Sequence, residues 1–501
     1  MRLAERLSAR TLLLGGVMIV ILALFIGGIQ DPDFWWHLRI GRWMVDNGML
    51  PSHDLFTYTV PNHVWIDHEY MTEVLMWLVY AGLGPADRPA AAGLLGISIA
   101  FGLITWAGFW TIYRQVRRQP FVIVGLGLAL AAIAGAPIWG PRAQMITFAL
   151  TCLELYWLDG YLRGRSRALY FFPLVMVLWA NLHGGWVIGF AWLGVALVSE
   201  LVGWGWDRSN PAHRAHVRFL AIVAAASLVA VLATPHGLSL YLYPFQTQGS
   251  VAQQKLIVEW FSPDFHQVYL RPFEAMIFIV VAGFALRRPR LYDFLLTMAA
   301  LGLALQSVRH IVLFIAAATP VMIATYSEYW KELSSARGWK PALPTRPVFA
   351  AITGLVLLLI TAATLVHIQA ETSTEKQRSL DASSYPGGAA DWLAAHPDVG
   401  TRMYNQYGWG GYLAFRFYPQ PNRRVFIFGE AELMGDPLLN QYEDVQTLRT
   451  DWKSILDQYQ VDYVVYNRGE ALANVLATQP DWALVYQDSV AVIYVRNKQI
   501  Q

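Results

Sequence analysis

The sequence has few charges and almost no cysteine. Of its 501 residues only 14% are charged, 55% are hydrophobic, and the formal net charge is +2. This composition excludes an ordinary soluble enzyme and indicates several membrane spans. The small net charge provides no large basic surface, so nucleic acid is not expected as a partner. The single cysteine, Cys152, excludes a disulfide within the chain and a cysteine-based metal cluster.

Apolar runs recur along the first three quarters of the chain and predict about eleven spans, which define a multi-pass α-helical membrane domain over residues 1–370. The first run is longer than a signal peptide and lacks a small-residue cleavage site, so we expect it to be retained. The predicted spans cover residues 11–30, 89–113, 120–138, 143–162, 168–181, 186–205, 216–233, 272–286, 291–306, 309–327 and 347–367.

Basic residues concentrate in every second loop, which predicts that these loops are cytoplasmic. They are Arg2, Arg6, Arg10; Arg114, Arg117, Arg118; Arg163, Arg165, Arg167; Arg208, Arg214, Arg218; Arg287, Arg288, Arg290; and Lys331, Arg337, Lys340. The apolar stretch 70–83 is short, and counting it as a span would invert the later basic loops. We therefore predict a helix at the outer interface there, and a plasma (inner) membrane protein whose N-terminus is cytoplasmic.

From about residue 376 to residue 501 the composition changes to that of a soluble domain. Because eleven spans is an odd number, this domain is expected to be extracytoplasmic. Strands are predicted at 425–428, 463–466 and within 483–495, and helices at 436–460 and 470–477. The alternation indicates a small α/β domain.

The first outer loop, residues 31–70, opens with Asp31-Pro32-Asp33-Phe34-Trp35-Trp36-His37. A helix that begins after Pro32 would place Asp33 and His37 on one face, because they are four residues apart. A carboxylate and an imidazole together suit proton transfer to or from a lipid-borne substrate.

The chain resembles the GT-C class of integral membrane glycosyltransferases. The resemblance rests on this acidic segment after the first span, and on Trp179 to Gly185, Thr234 to Gly237 and Gly408 to Leu413. More distantly, the first loop is similar to that of oligosaccharyltransferase catalytic subunits, and protein O-mannosyltransferases belong to the same wider group. Tyr407-Gly408-Trp409-Gly410-Gly411-Tyr412 lacks the central acid of the oligosaccharyltransferase acceptor motif, and the second outer loop has Arg142 and Gln144 instead of a carboxylate.

The resemblance implies transfer of a sugar from a polyprenyl-phosphate donor to a glycan or protein acceptor on the outer side. Such transfer needs a base for the acceptor and cations for the departing phosphate. Asp33 is the preferred base and Asp31 the alternative, although one of the two would serve only to cap the helix. His37 would orient the base or share its proton, or form a structural hydrogen bond.

Arg142, Arg309 and His310 are candidates for the donor phosphate, because guanidinium groups match phosphate geometry. The alternative is that the arginines reach lipid headgroups. His183 and His236, each followed by glycine, are further candidates, with structural turns as the alternative. The candidates for sugar or acceptor binding are Trp35, Trp36, Asp54, Trp65, His68, Glu69, Tyr407 and Trp409. Asp67 belongs to the same polar group.

Glu259 and Glu274 are weaker candidates, while Glu430, Glu432 and Asp436 are expected on a solvated face or at a helix N-terminus. The histidines and carboxylates are compatible with a divalent cation, but no motif such as HExxH occurs, so the sequence leaves the cofactor open. Two other function classes remain: a transporter or flippase for a lipid-linked glycan, and a non-catalytic membrane scaffold with the same fold.

Overall fold

The computed structural model describes residues 9–84, 91–339 and 347–497. Arg2, Arg6, Lys340, residues 89–90 of the second predicted span and residues 498–501 lie outside the described residues. The described chain is mostly helical. Its helices are α1 (Ala9–Leu24), α2 (Phe34–Asn47), α3 (Tyr70–Leu83), α4 (Ala91–Val116), α5 (Phe121–Ala134), α6 (Gln144–Leu162), α7 (Phe172–Leu182), α8 (Val187–Trp206), α9 (Pro211–Val231), α10 (Ser239–Gly249), α11 (Val251–Leu256), α12 (Arg271–Leu286), α13 (Leu291–Gln306), α14 (Ile311–Ala336), α15 (Pro347–Glu371), α16 (Thr374–Ser384), α17 (Gly387–Ala395), α18 (Gly410–Phe417), α19 (Ala431–Gln446), α20 (Trp452–Gln458) and α21 (Ala471–Leu476).

Among the described residues, six helices are long and apolar enough to cross a membrane. They are Ala91–Val116, Gly184–Trp206, Pro211–Val231, Val268–Leu286, Val308–Ala336 and Ala351–Glu371. The prediction of eleven spans is therefore not confirmed, although helices occur in every predicted run. Four of the other predicted runs form helices that are too short: α5, for example, has 14 residues and extends only about 21 Å at 1.5 Å per residue, against a bilayer core of about 30 Å. The fifth, α6, has 19 residues but is not apolar enough.

The chain divides into two compact units, and each is described by itself. The first unit consists of residues 1–27, 98–237 and 259–371, and the second of residues 28–97, 238–258 and 372–501. The second unit thus begins its last segment close to the predicted boundary near residue 370, and it also includes the first outer loop and α3.

In the first unit, alternate loops meet at the same end of the helices. Arg10 donates to the carbonyl oxygens of Arg117 (2.6 Å) and Gln119 (2.7 Å), and Lys331 donates to the Gln119 side chain (2.8 Å). Arg290 donates to Asp159 at 2.6 Å. These bonds bring the basic loops together, as the alternating charge pattern predicts.

The second unit contains a four-stranded sheet in the order β1-β2-β4-β3. The strands are β1 (Met403–Asn405), β2 (Tyr463–Asn467), β3 (Trp482–Gln487) and β4 (Ala491–Arg496). The first two strands pair in parallel, and β4 pairs antiparallel with β2 and with β3. The predicted strand at 463–466 is confirmed, and residues 483–495 form the β3–β4 hairpin.

Two predictions for this region are wrong. Residues 425–428 form only a single β-bridge, between Val425 and Thr57. The backbone groups that a neighbouring strand would bind are instead bound by the Asn405 side chain, which accepts from Phe426 N at 2.8 Å and donates to Ile427 O at 2.9 Å. The helix predicted at 436–460 consists of α19 and α20, separated by residues 447–451. The α19 segment also bends at Gly435, which has a positive φ of 77° and precedes Asp436-Pro437.

Candidate functional site

Helix α2 begins directly after the acidic segment, as Pro32 predicts. The Asp31 carboxylate accepts a hydrogen bond from the backbone N–H of Asp33 at 3.0 Å, and the Asp31 carbonyl accepts from Phe34 N at 3.3 Å. This is an Asx turn that starts the helix. Asp31 therefore has the capping role, whereas the Asp33 side chain makes no cap bond.

The Asp33 carboxylate is held between Trp36 and Gly429. Its Oδ1 atom accepts from Trp36 Nε1 at 3.2 Å. A Cβ atom added to Gly429 would overlap Oδ1 and would lie 2.7 Å from Asp33 Cγ and 3.0 Å from Trp36 Nε1. The Tyr407 hydroxyl donates to the Gly429 carbonyl at 3.3 Å. The absence of a side chain at residue 429 is what allows this close approach.

Two of the segments that carry the resemblance, Asp31 to His37 and Gly408 to Leu413, touch in the second unit. A Cβ atom on Gly411 would lie 3.0 Å from Pro32 O and 3.0 Å from Trp36 Cδ1, and one on Gly410 would lie 2.8 Å from Phe428 Cα. Gly411 therefore lets α18 pack against the start of α2, and Gly410 lets it pack against the segment 427–428. The sequence separation is more than 370 residues, so only the fold brings the motifs together.

His37 forms a hydrogen bond with an acid of α3 and lies near a second acid in the segment before that helix. Its Nδ1 atom is 2.7 Å from Glu73 Oε1, and its Nε2 atom is 3.7 Å from Glu69 Oε2. Burial lowers the pKa of His37, and the nearby carboxylates of Glu69, Asp31 and Asp67 do not offset this. The lowered pKa favours the neutral form of the His37 imidazole.

Several buried acids surround this histidine. Asp67 and Glu73 are 2% and 0% exposed. Burial raises the pKa of Asp67. Glu430 is only 6% exposed, and burial together with the charges of Glu432, Glu69, Asp67 and Asp33 raises its pKa well above the ordinary value. We call this group the acid–histidine cluster; its members are Asp33, His37, Asp67, His68, Glu69, Glu73 and Glu430.

His68 links the cluster to α10. Its Nε2 atom is 3.3 Å from Glu69 Oε1 and 3.1 Å from the Tyr243 hydroxyl. Burial lowers the pKa of His68, but the hydrogen bond and charge of Glu69 outweigh burial, so the pKa is raised. The two histidines thus have pKa values shifted in opposite directions.

The structure corrects the expectation for Glu430, Glu432 and Asp436, which do not form a solvated face. Glu430 is buried in the cluster, Glu432 accepts from Thr247 Oγ1 at 2.6 Å, and Asp436 accepts from Ser250 Oγ at 2.5 Å. The alternative expectation of a helix N-terminus is confirmed for two of them, since Glu430 is the N-cap residue of α19 and Glu432 lies in its first turn.

Sequence reasoning missed Glu73, Tyr243 and Glu430 as members of the site. Glu73 is the only charged residue in the apolar stretch 70–83, and Glu430 follows a glycine after the apolar run 425–428. Both signals were present in the sequence. Tyr243 carries no comparable signal, because its role depends on the fold.

The predicted sugar-binding tryptophans are packed in the core of the second unit. Trp35, Trp36, Trp65 and Trp409 are 0–4% exposed. Trp35 packs edge-on against Tyr412 at 5.5 Å, Trp36 contacts Phe428 at 5.6 Å, and Trp409 donates to Ser384 O at 2.9 Å. Because their faces are covered by protein, these rings position the cluster rather than offer a surface on which a sugar could stack.

Asp54 is likewise structural. It is buried, and its carboxylate accepts from Phe56 N and Thr57 N at 3.0 Å each and from Thr57 Oγ1 at 2.5 Å. Burial raises its pKa despite these bonds. With its oxygens engaged in a turn, Asp54 does not fit the expected role in sugar binding, whereas His68 and Glu69 do lie in the cluster.

In the first unit, the predicted phosphate-binding residues Arg142, Arg309 and His310 do come together. Arg142 forms an ion pair with Glu259, and the Arg309 guanidinium lies 4.6 Å above the Trp260 ring. His310 packs edge-on against the same ring at 6.1 Å. Burial raises the pKa of Glu259, but the charges of Arg142 and Arg309 lower it by more, so the net pKa is lowered and the carboxylate is ionised at neutral pH. We call these five residues the arginine–tryptophan cluster.

His183 and His236 fit their structural alternatives. His183 is buried; its Nδ1 atom accepts from Gly185 N at 2.9 Å and is 2.7 Å from Thr147 Oγ1. His236 lies in the turn before Gly237, which has a positive φ of 52°. A metal site also receives no support: the described ranges contain no group of three or more His, Cys, Asp or Glu side chains that could hold an ion.

No protein-family model and no curated protein matches the chain significantly. Solved structures do. The chain is similar to ArnT from Cupriavidus metallidurans bound to undecaprenyl phosphate, with a TM-score of 0.51 and 15% identity over 97% of this chain and 98% of that chain. It is also similar to the Archaeoglobus fulgidus oligosaccharyltransferase tethered with an acceptor peptide, with a TM-score of 0.50 and 13% identity over 97% and 74% of the two chains. At such identities the comparison establishes the fold.

Proposed function

We propose that this multi-pass membrane chain, which has the fold of the GT-C integral membrane glycosyltransferases, transfers a sugar from a polyprenyl-phosphate donor to an acceptor on the extracytoplasmic side. The observation that carries the proposal is the acid–histidine cluster, in which the charge of Asp33 at the start of α2 acts on the buried Glu430 and His37 of the same helix contacts Glu73. The undecaprenyl phosphate of the ArnT structure gives the donor its chemical class.

In the proposed reaction, Asp33 is the general base. It takes the proton from an acceptor hydroxyl or amide as the acceptor atom bonds to the anomeric carbon of the donor. The bond between that carbon and the phosphate oxygen breaks, and the electron pair leaves with the polyprenyl phosphate. The proton then passes from Asp33 to the cluster, where His37 has a lowered pKa and His68 a raised one.

The buried acids support Asp33 by remaining protonated. Two ionised carboxylates in one buried group repel each other, so one of them takes up a proton instead. Because the pKa of Glu430 is raised well above the ordinary range, Glu430 is the member that stays neutral beside Asp33. Its neutral form leaves the negative charge on the proposed base.

The arginine–tryptophan cluster is the proposed site for the donor phosphate. Arg142 and Arg309 provide two guanidinium groups, whose planar donors match phosphate oxygens. Glu259 neutralises part of this charge. A phosphate that binds there must therefore compete with Glu259 for Arg142, which would make phosphate binding reversible after transfer.

The proposal is tested with purified full-length protein and a panel of synthetic polyprenyl-phosphate hexoses and pentoses labelled in the sugar. We expect labelled sugar to be transferred to a membrane-extract acceptor or released to water, and Asp33→Asn to abolish this. Asp46→Asn, which changes an exposed acid of the same helix, is the matched control. Wild-type activity in Asp33→Asn would reject the assigned base, and scrambling of the lipid-linked sugar without transfer would instead indicate a flippase.

A further inference from the structure

We infer that the first unit binds the phosphate of an anionic lipid headgroup in an arginine-lined cavity at the end where the basic loops meet. The cavity has a volume of about 380 Å³, within the roughly 300–1,000 Å³ range of ligand sites. The cavity is lined by the carboxylates of Asp159, Asp293 and Glu328 and by five arginines, which are Arg163, Arg165, Arg287, Arg288 and Arg290. This site is separate from both clusters described above and does not depend on the proposed function.

Three of the arginines are fixed by ion pairs and form the wall. Arg163 and Arg290 both bind Asp159 Oδ1, at 2.7 and 2.6 Å, and Arg290 also binds Asp293 at 2.7 Å. Arg287 is held by Glu328 at 2.8 Å and by Glu332. All three carboxylates that line the cavity are therefore already paired with these arginines.

Arg165 and Arg288 are the remaining two. Both are exposed, and neither forms an ion pair with any residue in the ranges that the structure describes. The cavity therefore presents two guanidinium groups whose charge is not neutralised, next to the amides of Gln115 and Gln119. This set of donors suits a phosphate group.

The surroundings favour a lipid over a water-soluble phosphate. The cavity lies where α4, α6 and α12 end and α13 begins, at the boundary between apolar helices and charged loops. Leu286 and Phe294, which are the sequence neighbours of the lining residues Arg287 and Asp293, have 49% and 42% of their surface exposed. A ligand with a phosphate head and acyl chains would satisfy the arginines and cover these apolar side chains at once.

Binding is measured by titrating the purified full-length protein in detergent with fluorescent phosphatidylglycerol, with phosphatidylcholine as the neutral lipid. We expect Arg165→Gln/Arg288→Gln to weaken phosphatidylglycerol binding about 30-fold, taking about 1 kcal/mol per basic residue and tenfold per 1.4 kcal/mol. Each single substitution should cost about 5-fold, and Arg165→Lys/Arg288→Lys, which keeps the charge, should retain most of the affinity. Raising the salt concentration should weaken binding to wild type more than to the double variant.

The matched control is Arg208→Gln/Arg214→Gln, which removes two exposed arginines from another basic loop that does not line the cavity. Elution volume and unfolding midpoint check that each variant folds, and the single variants serve if the double variant does not. Equal losses in the control pair would show a bulk charge effect and overturn the inference. Unchanged binding in the double variant, equal binding of phosphatidylcholine, or competition by inorganic phosphate or glycerol 1-phosphate at the affinity of the lipid would also overturn it.

Discussion

Replacing Gly429 with alanine should inactivate the protein without unfolding it. The added Cβ atom would lie 2.7 Å from Asp33 Cγ, whereas ordinary contact begins at 3.4 Å, so the carboxylate or the backbone must move by at least about 0.7 Å, and by more at the overlapping Oδ1 atom. Overpacking of this kind costs about 1–3 kcal/mol of folding free energy. A catalytic group misplaced by about 1 Å can lose about 100-fold in rate.

The assay is transfer of labelled sugar by Gly429→Ala, with the unfolding midpoint measured in parallel. Gly82→Ala is the matched control, because a Cβ atom there would meet nothing within 4 Å, and alanine favours the helix by up to about 1 kcal/mol. Adding Asp33→Ala to Gly429→Ala should relieve the overlap and restore stability while the protein stays inactive. If Gly429→Ala keeps the wild-type rate and midpoint, the position of Asp33 against Gly429 has no functional meaning.

Three further predictions concern Asp31, Glu430 and the pair of Arg142 with Glu259. Asp31→Asn keeps the acceptor oxygen of the turn and should remain active. Asp31→Ala should lose about 0.5–1.5 kcal/mol of stability in a denaturant titration. Loss of activity in Asp31→Asn would indicate that Asp31, and not Asp33, is the base. Because the pKa of Glu430 is raised in the folded state, the folded protein binds more protons than the unfolded chain, so stability should fall as pH rises above the ordinary carboxyl pKa. Glu430→Gln should flatten that slope in unfolding midpoints measured across pH, and Asp46→Asn should not; a slope unchanged in Glu430→Gln would contradict the assigned burial effect. A double-mutant cycle of Arg142→Gln and Glu259→Gln should give a coupling free energy of about 1 kcal/mol or less, since the Glu259 side chain is 39% exposed. Arg142→Gln alone should raise the apparent KM for the donor. An unchanged KM would show that Arg142 does not bind the phosphate.

Local signals predicted the helices well. The helix at 70–83 has the predicted bounds, α13 matches residues 291–306, and α2 begins two residues after Pro32. These elements depend on apolar runs and on backbone rules that act within a few residues. The strand at 425–428 was mispredicted because its backbone bonds are taken by Asn405, a residue 20 positions away whose side chain carries no local signal.

The site was predictable only in part, because burial and long-range contact decide it. The pairing of Asp33 and His37 on one helix follows from their spacing, but the approach of Gly429 to Asp33 joins residues almost 400 positions apart. Trp35 and Trp65 are aromatic residues in a polar loop and suggest a ligand surface, yet the fold uses them as core. The sequence around Glu430 likewise shows a charged residue, which suggests a solvated helix start, but it does not show that the fold buries this side chain.

The most direct test of the central claim compares Asp33→Asn with Asp31→Asn in the transfer of labelled sugar from a polyprenyl-phosphate donor that wild type accepts. General-base catalysis is worth about 10²–10⁴-fold in rate, so Asp33→Asn should fall by at least about 100-fold while Asp31→Asn stays near the wild-type rate. Equal rates in Asp33→Asn and wild type would contradict the assignment of Asp33 as the base.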